Sequence, residues 1–195
     1  MITHELGHTL GLGHTNLIRC PNNVSDGVWS SCNAIEYGGA VDVMSNVDVQ
    51  GPLSTYHQWR MGIIKDSDIT QVWKTQTIDL KYTNSPTGTR AIFVRDGKQT
   101  YWIEFRKASD GYTPGLAVYR TDPPPANSIV SPNASDITDA PTQAVTTDVW
   151  LMNLDTYRYT SSATISGSPT LPLGRTFLDS SGNISVSATQ KDADT

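Results

Sequence analysis

Three of the chain's four histidines fall within the stretch HELGHTLGLGH, at His4, His8 and His14. Residues four apart on a helix differ by about 40° around the axis and about 6 Å along it, so His4 and His8 can turn two imidazoles toward one metal ion. Glu5, beside the first of them, can polarise a metal-bound water and act as its general base. The third histidine cannot belong to the same regular helix, because six residues past His8 it would be rotated by about 240° and displaced by about 9 Å. Gly11 supplies the stop. A residue without Cβ enters a left-handed conformation at little cost and lets the chain bring His14 back toward the metal. Three neutral imidazoles leave a fourth position for water, the open coordination of a catalytic zinc site, whereas a structural site would fill all four positions with protein ligands. Zn2+ suits this donor set best, and cobalt or nickel would also accept it.

The elements that must position these residues change character near residue 65. Before it, LSTYHQWRMGII follows Pro52 and places Leu53, Tyr56, Trp59 and Ile63 at spacings of three and four, which predicts a short amphipathic helix. After it the pattern has period two. Ile78, Leu80 and Tyr82 alternate with polar residues, and RAIFVRDGKQTYWIEF reads as a hairpin turning at Asp96-Gly97, with Tyr101, Ile103 and Phe105 on one face. GLAVYR (115 to 120), TDVWLMNL (147 to 154) and NISVSA (183 to 188) read as further strands, and together they predict an antiparallel β-sandwich. Thr121 to Thr147 holds five prolines without apolar period and reads as a long surface excursion, and the final KDADT reads as a frayed end.

At 195 residues the chain has room for one domain or two small ones. Its net charge of -5 and the absence of any Lys/Arg cluster leave no footprint for nucleic acid. No apolar run is long enough to span a membrane, and MITHELGH lacks the regions of a signal peptide. Cys20 and Cys32 lie close together in an Asn- and Ser-rich stretch, where a disulfide would tie down a loop with little structure of its own. A pair of free thiols is the alternative, and the spacing fits no standard zinc finger. Sequons at Asn23, Asn133 and Asn183 agree with export without arguing for it. His57 reads as a packing or surface histidine, while Glu104, Asp136, Asp139 and Asp148 read as strand-face and solvated loop charges rather than calcium ligands.

The extended pattern H-E-x-x-H-x-x-G-x-x-H is matched at His4, Glu5, His8, Gly11 and His14. Typical residue frequencies put a chance match on the order of 10⁻⁸ per position. Here the chain resembles the metzincin zinc metallopeptidases. Met44, in YGGAVDVMSN, resembles their Met-turn, the tight turn that places a methionine beneath the metal. The Tyr-Gly-Gly stretch leading into Asp-Val-Met, the paired cysteines and TYHQWRMG most resemble the gametolysin-like and related bacterial secreted peptidases. Some metzincins carry a tyrosine two residues after the methionine; Asn46 stands there in this chain, which argues against the astacin-like and serralysin-like branches.

The resemblance implies a secreted zinc metalloendopeptidase, with His4, His8 and His14 as ligands, Glu5 as base and later proton donor, and a protein or peptide substrate such as an extracellular glycoprotein. The expected fold is α+β: residues 1–65 as the C-terminal part of a metzincin catalytic domain, with zinc helix, Met-turn and second helix, and residues 66–195 as an antiparallel β-sandwich accessory domain. Only Met1 to Thr3 precede the zinc helix, where metzincins have a sheet whose edge strand holds an extended substrate. The expectation is therefore a fragment with reduced activity or none. The alternative is a β-sandwich module that binds a glycan or protein and carries a vestigial or structural zinc site.

Overall fold

The computed structural model describes residues 2–21, 25–39, 41–45, 51–107, 114–124, 129–130, 148–152, 158–159, 165–166 and 169–189. Helix α1 (Ile2–Thr9) carries Glu5 in its first turn and His8 in its last, the charge placement that a helix dipole favours. It stops at Gly11, whose φ is 84°, with the Gly11 N–H donating to His8 O at 2.9 Å and the Leu12 N–H to Gly7 O at 3.1 Å. The chain then runs through β1 (Thr15–Arg19) and β2 (Asn33–Ile35) to α2 (Thr55–Arg60). Ser54 caps α2, its hydroxyl accepting the His57 N–H at 3.2 Å.

Beyond a 3-10 turn at Asp66–Asp68 the regular elements among the described residues are strands: β3 (Ile69–Val72), β4 (Ala91–Asp96), β5 (Gln99–Arg106), β6 (Gly115–Arg120), β7 (Ile129–Val130), β8 (Val149–Leu151), β9 (Arg158–Tyr159), β10 (Ile165–Ser166), β11 (Leu171–Pro172), β12 (Thr176–Leu178) and β13 (Ser185–Ser187). Eight strands form one path, β3-β4-β5-β6-β8-β1-β2-β7, with β11 added beside β6; β9-β10 and β12-β13 are separate antiparallel pairs.

The architecture is α+β with a mostly sheet core, as expected. The β-region differs from the expected antiparallel sandwich, because the large sheet is mixed: β1 runs parallel to β8, β2 to β7 and β3 to β4. Strands from both sides of residue 65 pair within it, and Thr15, the residue after His14, lies opposite Val149. Period-two alternation reports which face a residue occupies and carries no information on strand direction, so these parallel pairings were beyond its reach.

Both faces of the sheet are buried. On one, Tyr101, Ile103 and Phe105 pack with Ile18, Ala34, Val118 and Trp150 under Phe177 and Ile184 from the β12-β13 hairpin. On the other, Trp102, Ala117, Tyr119, Val149 and Leu17 pack against Tyr56 and Ile64, with Trp59 alongside. The β4-β5 hairpin pairs Asp96 with Gln99, so its turn is Gly97-Lys98, one residue later than expected. Helix α2 ends at Arg60; the chain turns at Met61 and Gly62, which leaves Ile63 exposed and buries Ile64 in its place. Most of the Thr121–Thr147 excursion, and the C-terminal KDADT, lie outside the described residues, as do Asn23, Asn46, Asn133, Asp136 and Asp139.

Candidate metal centre

The fold brings His4, His8 and His14 together, with one possible ligand atom from each within 4.8 Å of the others. His8 Nε2 lies 3.1 Å from His4 Nε2 and 3.1 Å from His14 Nε2. Two nitrogens on a tetrahedral ion with bonds of about 2.05 Å would be separated by about 3.3 Å.

The opposite ring nitrogens settle what these short distances mean. His4 Nδ1 donates to Val43 O at 2.8 Å and His8 Nδ1 to Leu12 O at 2.9 Å. His14 Nδ1 faces Glu36 Oε1 at 3.1 Å. A nitrogen facing a carbonyl carries its proton, so in the neutral imidazoles the Nε2 atoms of His4 and His8 present lone pairs to one another. Lone pairs gathered at 3.1 Å repel unless a cation sits among them. The donor set therefore fits a metal ion, with the outer partners that metal-ligating histidines use to fix tautomer and orientation. Among the described residues the group comprises three histidines.

Two of the three histidines share one helix and the third comes from the loop before β1. His4 and His8 sit on α1, of which only His4 and Gly7 are buried. His14 lies at the start of β1, where its N–H donates to Asp148 Oδ1 at 2.6 Å and its carbonyl accepts the Val149 N–H at 3.0 Å. Asp148 is thus a buried partner of the metal loop, not the solvated loop charge expected from the sequence. Glu5 is exposed on α1, one residue from His4.

Met44 is fully buried beneath α1, and a Cβ added to Gly7 would lie 2.4 Å from its sulfur, so the helix can sit on the methionine only because residue 7 is glycine. The segment carrying Met44 is fixed by Asp42, whose Oδ1 accepts the Met44 N–H at 2.9 Å and whose Oδ2 accepts the Ser54 N–H at 2.8 Å and faces His57 Nδ1 at 3.3 Å. Burial pushes the Asp42 carboxyl up. The hydrogen bond and charge of His57, the Arg106 guanidinium and the Ser54 N–H outweigh it and hold the group at about 2. His57 is accordingly a packing histidine, fully buried. Glu104, also fully buried, accepts from Arg106 Nε at 2.7 Å, Tyr119 OH at 2.6 Å and Thr55 Oγ1 at 2.6 Å, joining the start of α2 to the sheet.

Three residues beside the histidine cluster carry no site role in the sequence reading: Glu36, Tyr37 and Asp148. Tyr37 opens the Tyr-Gly-Gly stretch and Glu36 immediately precedes it; nothing local marks Asp148. Tyr37 packs its ring on His14, centroids 4.1 Å apart. Burial raises its phenol, and the Glu36, Glu5 and Asp148 carboxylates add to the effect. Cys20 and Cys32 form a disulfide that closes the end of the β1-β2 pair away from the ligands. No helix among the described residues is long and apolar enough to cross a membrane. A scan against protein-family models and searches of curated proteins and of solved structures find no match.

Proposed function

We propose that the chain is a zinc-dependent metalloendopeptidase of metzincin type. The observation that carries this reading is the convergence of three Nε2 atoms, each ring backed at Nδ1 by an acceptor, one residue from a free-standing carboxylate at Glu5. His4, His8 and His14 would hold the ion, which when bound supplies Lewis acidity to a water and to the scissile carbonyl. Glu5 takes a proton from the attacking water as the water oxygen bonds to the carbonyl carbon. The same carboxyl then delivers that proton to the amide nitrogen as the carbon–nitrogen bond breaks. Met44 beneath the helix, at the position that resembles a Met-turn, supports the placement. The disulfide supports an oxidising compartment and hence secretion.

Metal analysis and cleavage of a reduced, unfolded protein test the reading. The chain should take up one equivalent of zinc and lose it on His8→Ala. Slow cleavage is expected, abolished by Glu5→Ala with zinc retained. One equivalent of zinc with no cleavage would favour a binding protein with a structural zinc site; no zinc uptake would overturn the metal site itself.

A further inference from the structure

Tyr37 has no part in metal ligation or in the proton transfer assigned to Glu5, yet the fold goes to some length to hold it there. It is the one non-glycine residue among those described with a left-handed backbone, φ 59°. A bulky side chain disfavours that conformation, and such strain persists where the surroundings over-determine it, often at functional sites. The surroundings are visible. The Tyr37 N–H is pinned to Oδ1 of buried Asn16 at 3.0 Å. Just after it, a Cβ on Gly38 would lie 2.8 Å from Leu17 Cβ and one on Gly39 2.4 Å from Thr15 Cγ2, so the turn is pressed flat onto β1. The ring is thereby laid against two metal-binding imidazoles, its centroid 4.1 Å from that of His14 and 5.9 Å from that of His4. Its side chain is half-buried, and its hydroxyl makes no hydrogen bond with any described residue.

We propose that the Tyr37 phenol is the hydrogen-bond donor to the oxyanion that develops on the scissile carbonyl oxygen of a bound peptide. The inference rests on the hydrolytic reading above and gives it a substrate-contacting group that it lacked. As the water oxygen bonds to the carbonyl carbon, the carbonyl π pair moves onto oxygen, and a fixed O–H there stabilises the charge while keeping its own proton. The donor is released when that pair returns, the carbon–nitrogen bond breaks and Glu5 protonates the departing amine. A hydroxyl already bonded within the protein could not serve. One without a partner among the described residues, on a ring packed against His14 and a backbone pinned to Asn16, can.

Tyr37→Phe keeps the ring and its packing on His14 and removes the O–H alone. The probe is acetohydroxamate, a small carbonyl-containing metal ligand independent of peptide specificity, its binding followed through the visible spectrum of the Co2+-substituted chain. Co2+ affinity should be the same within about twofold in both proteins, while acetohydroxamate binds about tenfold more weakly to the variant, the loss of one hydrogen bond. Peptide cleavage should lose on the order of 10²-fold in kcat with KM little changed. Equal acetohydroxamate affinity in the two proteins would overturn the proposal. Loss of Co2+ affinity in Tyr37→Phe would also overturn it, by making Tyr37 a positioning residue for His14. Failure of the unmutated chain to take up Co2+ would instead sink the metal-site reading on which the proposal stands.

Discussion

Asp148→Ala should weaken metal binding through the backbone of the third histidine. Asp148 Oδ1 accepts the His14 N–H at 2.6 Å, and the next residue donates to the His14 carbonyl at 3.0 Å, so the peptide on each side of the third ligand is tied to β8. Asp148 is 4% exposed, and a hydrogen bond to a carboxylate in such a setting contributes about 1.5–3 kcal/mol. Without it the loop before β1 relaxes in the metal-free protein, and the ion must re-order that loop to recruit His14. If the whole contribution falls on metal binding, at about 1.4 kcal/mol per tenfold, zinc affinity drops roughly 10- to 100-fold. Competition with a chromophoric chelator measures this, with circular dichroism to establish that the variant is folded. Asp148→Asn keeps an acceptor oxygen and should lose no more than about fivefold. A folded Asp148→Ala variant that binds zinc as tightly as the parent would refute the argument that β8 holds the third ligand in place.

Two further outcomes follow from the same geometry. Glu36→Gln replaces the carboxylate facing His14 Nδ1 with a neutral amide and should cost roughly tenfold in zinc affinity at unchanged thermal stability, read by the same competition. Asp42 should govern the acid limb of stability. Its folded-state carboxyl sits at about 2 against an ordinary 3.8, so its contribution is complete above pH 4 and is lost as pH falls through 2. That gap corresponds to about 2 kcal/mol. Denaturant melts of the parent should therefore lose stability between pH 4 and pH 2, while Asp42→Asn, less stable at neutral pH, should lose distinctly less across that window.

The three-histidine cluster was more legible in the sequence than the sheet that supports it. The four-residue spacing of His4 and His8, and the need for a stop before His14, are local consequences of helix geometry, and Gly11 adopts the left-handed conformation the spacing demands. The faces of β5 were legible for the same reason, since alternation is local: Tyr101, Ile103 and Phe105 share one core and Trp102 lies in the other. Asp148 was not, because its role depends on β8 lying parallel to β1, a pairing across more than 130 residues that no local pattern encodes. Tyr37 was legible in type but not in role, since the close approach of Gly38 and Gly39 to β1 exists only once β1 and β2 are paired. Ile63 was assigned to the buried face of α2 by its spacing from Trp59; the helix ends three residues earlier, and Ile64 is buried instead.

On the proposed reading the three histidines hold a zinc ion for Glu5 to use. The most direct measurement is the rate at which the zinc-loaded chain cleaves a reduced, unfolded protein, set beside that of Glu5→Ala carrying the same one equivalent of zinc. Measurable cleavage by the parent and a rate at least 10²-fold lower for the variant are expected. Equal rates in the two proteins, or no cleavage by either with zinc bound, would contradict that reading.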